Sequence, residues 1–167
     1  MIMAFLDEVG SSTFEQRSIS WRAFQQLVTL HDKVVVDTHL HAVKLMQPAF
    51  IAAEFFDTTA KTIENCKAVH ALVFDIDAKA NKLFRALKSG TQLFSCRYAV
   101  YSSMNHLVDG ATPKLRIIVP YDTPISPDQH RNVAMNFAAS FVEKWGCEID
   151  RTGPAPAKTG HGVTLKL

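Results

Sequence analysis

The stretch HALVFDI (70–76) constrains this chain more than any other. It is an unbroken apolar run that ends in acid. Nothing in it alternates, and it is too short for an amphipathic helix. It therefore reads as a strand buried on both faces, at the centre of a sheet. Such a strand needs a substantial core around it. The chain has 167 residues, 47% of them hydrophobic, and Phe is present 11 times, which suits one domain with a small N-terminal appendage.

The elements around this strand follow from local signals. Residues 79–89 carry Leu83, Phe84 and Leu87 at helical spacing, with Gly90 as the stop. Residues 92–102 hold a strand centred on Tyr98, Val100 and Tyr101. Asp109-Gly110 and Pro113 signal a turn, and LRIIVP (115–120) is the next strand, ended by Pro120. Ser126-Pro127-Asp128 opens a helix with cap, first-turn Pro and acid; Val133, Phe137, Phe141 and Trp145 form its face and Gly146 closes it. A short strand covers 147–150. Upstream, residues 18–31 read as a helix behind Ser20, and Val34 to Val36 as a short strand.

The order β-α-β-β-α-β gives the fold class α+β. It is the ferredoxin-like or RRM-like arrangement, an antiparallel sheet with two helices on one face. The chain then divides into an N-terminal α/β appendage (1–67), a palm (68–150) and a Gly/Pro-rich tail (151–167). In this topology the first strand lies between the third and the fourth. Asp75 and Asp77, Ser103 to His106, Lys114 and Arg116, and Asp150 all fall at strand ends on one edge of the sheet.

Asp75 and Asp77 are two apart, so a strand turns both to the same face, with Cα atoms about 7 Å apart. Two carboxylates this close repel, and burial makes each expensive. Divalent cations offset both costs, and oxygen ligands suit Mg²⁺ or Mn²⁺. Ser103 and His106 supply a hydroxyl and an imidazole for phosphate oxygens. Lys114 and Arg116 supply cations, the guanidinium in a shape fit for bidentate phosphate contact.

ALVFDID (71–77), YSSMNH (101–106), TPKLRIIVPYDTPISPDQH (112–130) and CEID (147–150) together resemble the archaeo-eukaryotic primase superfamily, in its phage and plasmid replication forms. The likeness covers about half the chain. It implies a template-dependent nucleotidyltransferase with a two-metal Mg²⁺ or Mn²⁺ site on Asp75, Asp77 and Asp150. It implies that His106, Arg116, Ser103 and Lys114 hold the nucleotide. The partners implied are nucleoside triphosphates, a single-stranded DNA template and a helicase or other replication protein. Separately, reduced thiols and an N-terminus, MIMAFLDEVG, that does not read as a signal peptide make the cytoplasm, with no membrane, the expected compartment. Alanine at Asp75 is expected to abolish synthesis while leaving the fold intact. After CEID the chain runs RTGPAPAKTGHGVTLKL, where the family has an aromatic Leu-Pro strand. A truncated or inactive relative, acting as a nucleic-acid-binding module of the same fold, is the alternative. A metal-dependent phosphohydrolase is a third reading, although Lys79 stands where a phosphatase motif needs a hydroxyl.

Other features narrow the field. The formal charge of +2 announces no polyanion partner, so any nucleic-acid contact must come from a local patch. Cys66, Cys96 and Cys147 lack metal-ligand spacing and read as reduced thiols, mostly buried. VVVDTHLH (34–41) looks like a metal motif of much larger barrel enzymes; His39 and His41 read instead as surface or loop histidines. No apolar run reaches the ~20 residues a membrane helix needs.

Overall fold

The computed structural model describes residues 1–7, 11, 13–29, 49–102 and 113–149. Its elements are β1 (Ile2–Leu6), β2 (Glu15–Ser18), α1 (Trp21–Thr29), β3 (Ala49–Ile51), β4 (Ala53–Phe55), β5 (Cys66–Ala78), α2 (Asn81–Lys88), β6 (Ala99–Ser102), β7 (Leu115–Ile125), α3 (Pro127–Trp145) and β8 (Glu148–Ile149). The expected α+β arrangement is present. β5 runs antiparallel to β7, β7 to β6, and β8 to β5. From β5 onward the spatial order is β8-β5-β7-β6, which is fourth, first, third and second. β4 lies on the same edge of β5 as β8, pairing at Cys66 to Val69 while β8 pairs at Ile76 and Ala78.

The reason β5 is apolar throughout is that both of its faces are covered. Leu72, Phe74 and Ile76 point to a cluster with Leu83 of α2 and Phe141 and Trp145 of α3. Ala71 and Val73 point the other way, to Met3 of β1, Phe24 and Val28 of α1, and Phe50 of β3. The N-terminal segment thus packs on the face that two helices alone would leave open. It forms its own sheet in the order β2-β1-β3, and the chain crosses from that sheet to the larger one between Ile51 and Ala53.

Local signals explain most boundaries. Ser126 Oγ accepts from the Gln129 N–H, and Gln129 Oε1 accepts from the Ser126 N–H, a reciprocal cap ahead of Pro127. Gly146 closes α3 at φ 65°. Ser126→Ala is expected to lower stability by about 1 kcal/mol, read as a shifted urea midpoint at unchanged slope. In α2 the last capping residue is Ser89, and Gly90 follows it at φ 78°, where a side chain would be strained.

Two expectations need correction. Pro120 does not end the third palm strand: β7 continues to Ile125. β6 runs only to Ala99, opposite Ile118, so β7 is unpaired on that side at Pro120, where a missing N–H costs little. The β5 pairing is itself irregular between Val69 and Ala71. In α3, Val133 is 41% exposed; His130, Ala134, Phe141 and Trp145 are the buried residues. Of the thiols, Cys66 and Cys147 are buried and Cys96 is exposed. The strand read at Val34 to Val36, with His39 and His41, lies outside the described residues, as do the tail and Asp150.

Candidate functional site at the end of the central strand

Register builds this site. Asp75 of β5 lies directly opposite Arg116 of β7, and Arg116 lies opposite Tyr101 of β6. The next pairs are Ile76 with Leu115 and, on the other edge, Ile76 with Ile149. The expected convergence of separate segments on one sheet edge therefore holds for Asp75, Asp77, Arg116 and the ends of β6 and β8. Lys114 is half-buried immediately before β7. Ser103, His106 and Asp150 lie outside the described residues.

Asp75 and Asp77 are in phase with Ala71 and Val73, so they belong to the face away from α2 and α3. Their surroundings differ. Asp77 is exposed at the rim. Asp75 is engaged: Arg116 Nε donates to one carboxylate oxygen at 2.5 Å and Nη2 to the other at 2.6 Å. This is a bidentate fork. The two side chains are only 5% and 15% exposed, Arg116 the less. Burial disfavours the guanidinium charge, but Tyr101 and Asp75 more than offset that, so the Arg116 pKa lies above its ordinary value. Arg116 is a permanent cation here.

Tyr101 completes the group. Its ring lies 5.9 Å from the Arg116 guanidinium carbon. Its hydroxyl is buried, and its interaction with Arg116 falls outside ordinary hydrogen-bond geometry. Burial raises the Tyr101 pKa, and the Arg116 charge opposes the rise only in part. A buried hydroxyl left unsatisfied costs free energy. Tyr101→Phe is therefore expected to leave stability unchanged or to raise it by up to about 1 kcal/mol in urea unfolding. A loss above that would mean the hydroxyl has a partner.

Sequence reasoning put Arg116 beside the acid pair as a phosphate ligand and missed its ion pair with Asp75. The signal was available, because an antiparallel alignment of VFDI with LRII sets opposite charges face to face. Tyr98, read as part of the strand, lies just before β6 and packs on the α2–α3 side, whereas Tyr101 packs on the opposite side. The expectation that alanine at Asp75 leaves the fold intact needs revision, since that change would strand a buried guanidinium. Among the described residues, no group of three His, Cys, Asp or Glu side chains is disposed to hold a metal.

A family model matches the part of the chain that carries this edge. The model for the VapE N-terminal domain matches residues 48–144, more than half of the chain. The chain belongs to the VapE N-terminal domain family. The matched region runs from just before β3 to the last turn of α3, so this VapE N-terminal domain carries Asp75, Asp77, Tyr101 and Arg116 within the match. Asp150 and β8 lie beyond it. No curated protein and no solved structure matches the chain. No helix among the described residues is long and apolar enough to cross a membrane.

Proposed function

We propose that this domain is a primase-polymerase-type palm that takes a metal-bound nucleoside triphosphate at the Asp75–Asp77 edge. The VapE N-terminal domain family is associated with phage and plasmid replication, and the chain shares that association as a member. The finer reading rests on one observation. Two carboxylates two residues apart end the central strand on one face, with a buried arginine directly opposite the first.

The donor set fits a hard cation in part. Mg²⁺ is commonly held by one or two carboxylates, with substrate phosphates and water filling the remaining positions. Asp77 and Asp75 supply two carboxylates, but both Asp75 oxygens accept from Arg116. Each Asp75 oxygen keeps a second lone pair, so a cation can share this carboxylate with Arg116, and a triphosphate offers the guanidinium further bidentate acceptors. When bound, the ions would activate the attacking 3′-hydroxyl oxygen and neutralise the leaving pyrophosphate. Lys114, just before β7, adds positive charge nearby. Roles for Ser103, His106 and Asp150 are carried by the family resemblance alone.

The same fork favours a second reading. An Asp75 held in a buried fork by Arg116 is what a catalytically degenerate nucleic-acid-binding module would keep as a structural pair. Calorimetric titration of Mn²⁺ with a non-hydrolysable deoxynucleoside triphosphate separates the two. The palm reading expects metal-dependent binding to wild type that Asp77→Ala loses. Equal or absent binding in both proteins would leave the module reading standing. The phosphohydrolase reading predicts phosphate release from simple esters and no polymer product.

A further inference from the structure

We infer that the outer surface of α2, with Lys144 of α3, is a phosphate-backbone-binding ridge that holds nucleic acid on the side of the sheet opposite the acid pair. This inference does not rest on the proposed catalytic role. After Asp77 the next acidic residue is Asp109. With 16 acidic residues in 167, about three would be expected in that interval. The interval instead holds Lys79, Lys82, Arg85, Lys88 and Arg97, in a chain whose net charge is only +2.

α2 carries three of these cations on an exposed surface and no acid at all. Its first turn has a Lys where a helix N-terminus favours an acid. Lys82, Arg85 and Lys88 recur every three residues, a spacing at which like charges repel. The helix dipole favours Arg85 and Lys88 in the last turn but not Lys82 in the first, so dipole stabilisation alone does not account for the row. The cations are also held in place. Lys82 Nζ donates to the Lys144 carbonyl at 2.7 Å, and the Lys82 and Lys144 ammonium groups lie 5.8 and 5.3 Å from the Trp145 ring centre. Lys88 lies 4.8 Å from the Phe84 ring centre, and Arg85 Nε donates to the Asn81 carbonyl at 3.4 Å.

The neighbouring acids do not cancel this charge. Glu148 is paired with Lys79 at 2.5 Å, and Glu143 adjoins Lys144 in sequence. None of the ion pairs among the described residues uses Lys82, Arg85, Lys88 or Lys144. Steps of three residues advance about 4.5 Å along a helix, so the α2 cations span about 9 Å. A nucleic-acid strand carries one charge per roughly 3.4 Å, so the ridge matches about three phosphates.

The test is fluorescence anisotropy of the full chain with a labelled oligo-dT of about 20 nucleotides and a duplex of similar length. Arg85→Gln/Lys88→Gln should weaken binding about tenfold at low salt and flatten the log–log salt slope by about 1.4 on the single strand. Arg22→Gln/Lys67→Gln, which removes the same charge elsewhere, should change affinity less than about twofold. Tighter binding of the single strand or of the duplex identifies which phosphate backbone the ridge holds. The inference is overturned if the α2 double variant binds with wild-type affinity and slope, or if wild type binds neither probe.

Discussion

Replacing Arg116 with alanine is expected to lower the unfolding free energy by about 3–5 kcal/mol, the usual cost of leaving one partner of a buried ion pair behind. The reason is location. The Arg116 and Asp75 side chains are 5% and 15% exposed, and each oxygen of Asp75 has its own N–H donor. Removing the guanidinium leaves a carboxylate that water reaches poorly. Asp75→Ala should cost a comparable amount for the opposite reason, because it leaves a cation that cannot deprotonate. A pair on the surface behaves differently. Lys79 and Glu148 are 68% and 57% exposed, so water and salt screen the pair and losing their contact should barely move the urea midpoint. Urea unfolding of the single variants and of the double Asp75→Leu/Arg116→Met decides the matter. The double variant should recover most of the loss, since an apolar pair of similar volume strands no charge. An Arg116→Ala loss below about 1 kcal/mol would show that the pair is not buried in solution. The result also bears on assays of synthesis. Lost activity in Asp75→Ala mixes chemistry with folding, so the informative position is Asp77.

How much of this was legible before the fold was known varies with the range of the interaction. β5 was legible because burial on both faces writes an apolar run into the sequence. α3 was legible at both ends because its capping box and its left-handed glycine are local chemistry. The strand order followed from the alternation of helices and strands, and the acid edge from the strand order. Long-range features were not legible. β1 and β2 are short, and β1 is completed by β3, more than forty residues away. Nothing local announces that pairing, or that α1 and β1 cover the second face of the palm sheet. Pro120 misled because a proline normally ends a strand, and only the shortness of β6 makes it tolerable within β7. The Asp75–Arg116 fork was half legible. The register was implied, but which acceptor the guanidinium takes without substrate depends on the burial that only packing creates.

If the domain is the proposed primase-polymerase-type palm, Asp77→Asn should preserve the fold and lower nucleotidyl transfer by about two to three orders of magnitude. Asp77 is exposed at the rim, and an exposed Asp→Asn change usually costs within about 0.5 kcal/mol of stability. The functional term is far larger under the palm reading. Asn keeps the shape of Asp and loses the charge that a divalent ion needs. Metal stabilisation of transferring phosphoryl groups is worth several kcal/mol, and each 1.36 kcal/mol is a factor of ten in rate. The variant should also need more Mn²⁺ to reach half its residual rate, because the site has lost an anionic ligand while Asp75 is still contested by Arg116. Primer extension across a Mn²⁺ series, with unfolding measured on the same preparations, reads both effects. Activity within about threefold of wild type, at unchanged metal demand, would remove Asp77 from the chemistry. The two-carboxylate site would then have lost one of its members, and the palm reading with it.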